Sequence, residues 1–176
     1  KFLTPVENSS RRFLSAEREQ ITNSHSSPSL VNKPAKQENE TYLTYNELEA
    51  VENPEEALQN LLGSARSSDW SVNFESLNLI RKLLKHHPGV FLSQVTLHNL
   101  ALDIVRWADS LRSSLCKNAL ITIGELARAL GRTVDSEVQD LVKILMKKVV
   151  DTNVFIPAQA EESLTSICRY CTENRV

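Results

Sequence analysis

The feature that most constrains this chain is a register that comes back three times. Leu77, Leu120 and Leu164 fall in equivalent places, as do Ile80, Ile123 and Ile167, at offsets of 43 and then 44 residues, and Leu83, Leu126 and Tyr170 keep step. Around each set, apolar residues recur at three- and four-residue spacing, which lines them up on one face of a helix. The punctuation agrees. Asn53-Pro54 reads as a helix start, a capping residue followed by Pro at the first helical position, and Ala57, Leu58, Leu61, Leu62 and Ala65 follow at helical spacing. Ser67-Ser68-Asp69 stops that helix and caps a second, whose stripe of Phe74, Leu77, Ile80, Leu83 and Leu84 runs to His87-Pro88-Gly89. The same alternation predicts helices over 92–107, 114–130 (closed by Gly131), 138–150 and about 157–172.

Two helices per unit at this period mark a HEAT or armadillo array, in which each hairpin buries its apolar face by stacking on its neighbours. The expected fold is therefore all-α, an α-solenoid of about three HEAT-like helical hairpins over repeats 53–89, 91–131 and 135–173. Residues 1–41 are rich in Ser, Asn, Glu, Lys and Pro with scattered apolar residues, so they are expected to be a disordered linker, leaving a domain over 42–176. Tyr42, Leu43, Tyr45 and Leu48 are expected to fold back as an apolar strip on the first repeat. Because the chain opens on Lys1 rather than Met, it is expected to be an excised segment with a truncated array, its last repeat exposing an apolar face.

Composition narrows the function. A net charge of -2 supplies no global attraction to nucleic acid or anionic membrane, and no apolar stretch reaches the ~20 residues of a membrane span. Three cysteines, Cys116, Cys168 and Cys171, are too few and odd in number for a disulfide framework, which points to a reducing compartment such as the cytosol. The sequons at Asn8 and Asn39 matter only in the secretory pathway, and the Ser26-Ser27 stretch is a phosphorylation candidate with no sharp motif. No catalytic set assembles. Cys168-Arg169-Tyr170-Cys171 lies on a predicted helix without a second pair, and reads as two small core residues. His86-His87 ends a helix, His98 stands apart, Glu161-Glu162 reads as a solvated face, and the four glycines are isolated. Arg81, Lys82 and Lys85 read as the solvated outer face of their helix. The expectation is a non-enzyme without cofactor or metal, and without nucleic-acid or membrane partners.

A solenoid does bring its turns together. The stretches 67–71, 108–114 and 150–157 should share one edge, carrying Trp70 and Ser71, then Arg112 and Lys117, then Lys147, Lys148 and Asn153. Each has an alternative structural role, since Trp70 can seal the first hairpin and cations end helices favourably.

These residues also carry a resemblance. Ser68-Asp69-Trp70-Ser71-Val72-Asn73-Phe74-Glu75-Ser76-Leu77, ending in His86-His87-Pro88, resembles the opening repeat of TOG domains, the tubulin-binding HEAT arrays. Asp109-Ser110-Leu111-Arg112-Ser113-Ser114, continuing through Lys117-Asn118-Ala119-Leu120, is similar to their second loop and helix, and Asp151-Thr152-Asn153-Val154-Phe155-Ile156 to their third. The likeness covers about Tyr45 to Val176 and is nearest to the CLASP and crescerin (ciliary TOG-array) subgroups. It implies a non-catalytic, monomeric module that docks on αβ-tubulin or microtubules through its intra-repeat loops, with Trp70 as apolar anchor and Arg112 and Lys117 as second-loop contacts. It also implies a cytoplasmic, cytoskeletal setting that includes the cilium or centrosome. Val154 and Pro157 stand where the family usually has a cation, so a second expectation stays open: a HEAT-like scaffold that has lost tubulin binding and recognises another protein.

Overall fold

Short polar side chains and Pro divide the chain into helices close to where the sequence places them. The computed structural model describes residues 42–65 and 67–171, and these form six α-helices with three short 3-10 turns and, among the described residues, no strand. They are α1 (Pro54–Ser64), α2 (Trp70–His86), α3 (Gln94–Ala108), α4 (Ser113–Leu130), α5 (Val138–Val149) and α6 (Phe155–Tyr170). Residues 1–41, with both sequons and Ser26-Ser27, lie outside the described residues.

Asp69 caps α2, its carboxylate accepting from the Ser71 N–H at 2.9 Å. Gly131 closes α4 at φ 50, a left-handed conformation that a side chain would strain. Pro54 opens α1 without help from the Asn53 side chain, which makes no capping hydrogen bond. Two boundaries differ from expectation. A 3-10 turn over Pro88–Phe91, driven by burial of Phe91, delays α3 to Gln94. α6 starts early, at Phe155, because the Asn153 side chain accepts from the Phe155 N–H at 3.2 Å.

The helices pair as α1/α2, α3/α4 and α5/α6, and the pairs stack α2 on α4 on α6 and α3 on α5. This is the HEAT-like α-solenoid, and the core runs continuously through it. Ile80, Ile123 and Ile167 are each fully buried, as are Leu77 with Leu120 and Leu83 with Leu126. Each such side chain contributes about 1.5–3 kcal/mol of hydrophobic stabilisation. The third repeat departs from the register: Leu164 is half-buried and Tyr170 is exposed. Polar contacts record the period as clearly as the core does. Arg81 pairs with Glu125, the Asn118 amide donates to the Phe74 carbonyl at 3.4 Å, and the Ser163 hydroxyl donates to the Leu120 carbonyl at 2.7 Å.

Two expectations are corrected. Arg81 is no solvated residue: it is 1% exposed, its guanidinium donating to both Glu125 oxygens at 2.9 and 3.0 Å, to Asn118 Oδ1 at 3.2 Å and to the Leu43 carbonyl at 2.8 Å. Its place on α2 faces the next hairpin, where a charge survives only if fully paired. Cys168 is exposed rather than in the core, while Cys171 is buried beyond the last turn of α6. The exposed residues of the last repeat are mixed, polar at Glu161, Glu162, Thr165 and Arg169 and apolar at Met146, Val150, Val154, Phe155 and Tyr170.

Residues 42–51 form a strap over the second helices. Leu48 is 1% exposed, Tyr42 meets Phe74 edge-on with centroids 5.8 Å apart, and the strap carries a Thr44–Glu47 capping box. Lys85 holds it down by donating to the Tyr45, Asn46 and Leu48 carbonyls at 2.7, 3.4 and 2.9 Å. Tyr45 itself is exposed, so the expected apolar strip is fastened as much by main-chain hydrogen bonds as by burial.

Candidate functional site

The three intra-repeat turns are built with the same local device, a short polar side chain that accepts from the N–H two residues on. In the first, Ser67 Oγ accepts from Asp69 N at 3.1 Å before Asp69 accepts from Ser71 N. In the second, Ser110 Oγ accepts from Arg112 N at 3.1 Å. In the third, Asp151 accepts from Asn153 N at 3.0 Å, and Asn153 in turn from Phe155 N. Such turns rigidify a loop without burying it, leaving the following side chains displayed.

Side-chain contacts then join the turns into one edge. Trp70, half-buried in the first turn of α2, lies under the Arg112 guanidinium, whose carbon is 4.0 Å from the ring centroid. A flat cation stacked on an indole at this distance is an attractive contact that also holds the Arg in place. Lys117 Nζ sits 5.1 Å from the Tyr42 ring and 5.7 Å from the Phe155 ring, linking the strap, α4 and the third turn. Lys147 donates to both Asp109 oxygens at 2.7 and 2.9 Å, tying the second turn to α5.

Of the expected edge residues, Trp70 and Arg112 come together as a stack, and Lys117 meets the third turn at Phe155. Ser71 is half-buried, its N–H spent on the Asp69 cap, and the Asn153 side chain is spent on the Phe155 N–H at the start of α6. Lys147 is exposed but paired. Lys148 differs: it is 7% exposed, with Nζ 3.6 Å from Asp109 and 3.7 Å from Asp151, so it is an internal tie rather than a displayed cation. The reason is its position on α5, one residue round from Lys147 and turned towards the hairpin interior. The hydrogen bond from Lys147 holds the Asp109 carboxyl below the usual range, with both lysine charges adding to it. Burial pushes the Cys116 thiol up, and it donates to the Ala108 carbonyl at 3.0 Å. Burial, with Asp135 and Cys168 nearby, pushes Cys171 up to about 11. These are inert packing thiols.

The sequence reading missed the edge's apolar members. Leu111, Val150, Val154 and Phe155 are all exposed, Leu111 completely. The signal was present in the shortness of the second turn: residues 109–112 have too few neighbours to cover a Leu. Among the described residues no group of three His, Cys, Asp or Glu is placed to hold a metal ion, and no helix is long and apolar enough to cross a membrane.

The turns and the helices behind them fall in the stretch 52–176, which matches the family model described as CLASP N terminal. The chain belongs to the CLASP N-terminal family. It is a TOG domain of the CLASP and crescerin type, as the turn motifs lead one to expect. Among curated relatives, TOG array regulator of axonemal microtubules protein 1 from Homo sapiens is 29% identical over 129 residues, covering 73% of this chain and 7% of the relative. The Mus musculus protein of the same name is 28% identical over the same length, with the same shares covered. Crescerin-like protein che-12 from Caenorhabditis elegans is 28% identical over 120 residues, covering 68% of this chain and 9% of the relative. The TOG domain thus spans less than a tenth of the length of these relatives. No solved structure gives a significant match.

Proposed function

We propose that this TOG domain is a non-catalytic module that docks on αβ-tubulin or microtubules through its loop edge, within a regulator of cytoskeletal or ciliary microtubules. The observation that carries the reading is the Trp70–Arg112 stack, a guanidinium laid over an indole and held by two rigid turns, next to fully exposed Leu111. Aromatic and Arg anchors ringed by apolar contacts are the usual composition of an interface hot spot, and a cation suits an acidic partner such as tubulin. The names of the relatives support the choice of partner. Lys117 adds a second cation, and the fixed turns keep the ordering cost of docking low.

Co-sedimentation with microtubules, together with size-exclusion mixing with soluble tubulin, tests this. Trp70→Glu and Arg112→Glu are each expected to weaken binding by about tenfold or more, the loss of one hot-spot contact. Unchanged binding by both folded variants would show that the loop edge is the wrong surface.

One observation favours a second reading, a HEAT-like scaffold recognising another protein. Lys147 and Lys148 are occupied by Asp109 and Asp151, and Val154, which is exposed, and Pro157 stand where a cation would serve tubulin. Under that reading the intact domain binds neither microtubules nor tubulin, while Trp70→Glu still abolishes capture of its own partner.

A further inference from the structure

A cavity of about 440 Å³ lies between the strap and the second helices, reaching the loop edge only at Lys117. That volume falls within the roughly 300–1,000 Å³ typical of ligand sites. Its floor is α4, where Lys117, Ile121, Gly124 and Arg128 follow one another at spacings of four, three and four residues and so share a face. One wall is the strap, with Tyr42, Thr44 and Tyr45. The other is α6, with Gln159 and Glu162. Gly124 lets α6 pack closely on this floor, because a Cβ there would stand 3.2 Å from Ser163 Oγ.

The charges are arranged along this cleft rather than scattered over it. Arg81 and Glu125 line its base but neutralise each other. Lys117 marks one end, against the Tyr42 and Phe155 rings, and Arg128 marks the other, with its guanidinium carbon 5.5 Å from the Tyr45 ring. Neither has a carboxylate partner among the described residues. Aromatic stacking leaves the charge of each available while limiting its motion. Glu162 opposes them from the α6 wall, where it accepts from Gln159 Nε2 at 3.1 Å. Eleven helical residues separate the two cations, about 16 Å along α4, which an extended chain covers in about five residues.

We propose that this cleft is a docking site for an extended acidic peptide, with Lys117 and Arg128 each receiving a carboxylate and the two tyrosines flanking the chain. The site is distinct from the loop edge except at Lys117, which stands where they meet. Part of its wall, the strap, precedes the segment matched to the family, so the cleft is not a property of that segment alone.

Fluorescence anisotropy with fluorescein-labelled hexaglutamate, against hexaglutamine as the neutral control, tests the proposal on the whole chain. At low ionic strength hexaglutamate is expected to bind at least about tenfold more tightly than hexaglutamine, and to lose that advantage near 0.15 M salt, where the screening length falls to about 8 Å. Arg128→Glu, an exposed substitution whose folding is checked by its melting temperature, is expected to weaken hexaglutamate by about tenfold. Glu162→Gln is expected to strengthen it by about twofold, by removing the opposing charge. Trp70→Glu should leave it unchanged. Equal affinity for the two peptides, or no effect of Arg128→Glu, overturns the proposal. Loss of hexaglutamate binding in Trp70→Glu also overturns it, by placing the peptide on the loop edge. Because the loop-edge reading is scored by tubulin binding and this one by Arg128, the two fail separately.

Discussion

Arg81 shows how much a single side chain can decide in a stacked array. It joins α2 to α4 through Glu125 and Asn118 and holds the strap through the Leu43 carbonyl, all within a layer the core would otherwise fill with aliphatic groups. A buried pair of this kind contributes little against a hydrophobic replacement, yet breaking it leaves an orphaned charge. Arg81→Met is therefore expected to cost about 3–5 kcal/mol in urea unfolding. The double variant Arg81→Met/Glu125→Leu is expected to recover most of the loss. If the double variant is no better than the single one, the pair matters for shape rather than charge. Sequence alone read Arg81 as solvated, because Arg81, Lys82 and Lys85 look alike in a row, and only the rotation of α2 against α4 separates them.

Among the elements, the strap is the one that helical periodicity could not have described. It has too few residues for a repeat, but Leu48 is sealed beneath it and Lys85 and His86 fasten its carbonyls, His86 Nε2 lying 2.8 Å from Leu48 O. Leu48→Ala is expected to destabilise the domain by about 2–4 kcal/mol, as for other buried Leu truncations, read as a lowered melting temperature. A change below about 0.5 kcal/mol, the range of surface substitutions, would mean that the strap lies on the repeats without contributing to their stability. The helices themselves were legible. Their stripes, the Asp69 cap and the Gly131 stop are all local, and the two shifted starts, at Gln94 and Phe155, come from a 3-10 turn and a side-chain hydrogen bond that periodicity does not register.

Across the whole molecule, repeats are held to one another by nearest-neighbour contacts, so each polar tie between them matters to cooperativity. Asp109 is such a tie, linking the second turn to Lys147 and Lys148 of the third repeat. Its carboxyl titrates below the ordinary value because those lysines favour the charged form. A depressed folded value means a stabilising contribution that is complete above the unfolded value of about 4 and lost as pH falls through the folded one. The melting temperature of the wild type is thus expected to exceed that of Asp109→Asn at pH 7, with the gap closing below about pH 4. A gap that stays constant down to pH 2 would mean that the tie acts through shape alone.

The sequence by itself determined the repeat period, the helix pairs, the order of the turns and the family motifs within them, because each depends on residues close together or on a spacing that can be counted. It also placed Trp70 and Arg112 on a common edge. Only the tertiary structure decided that Arg112 stacks on Trp70, that Lys148 faces inward while Lys147 faces out, and that Lys117 and Arg128 border a cleft closed by the strap. Those outcomes depend on how far each helix is rotated against its neighbour. That angle is set by the packing of side chains some forty residues apart, which no local pattern encodes.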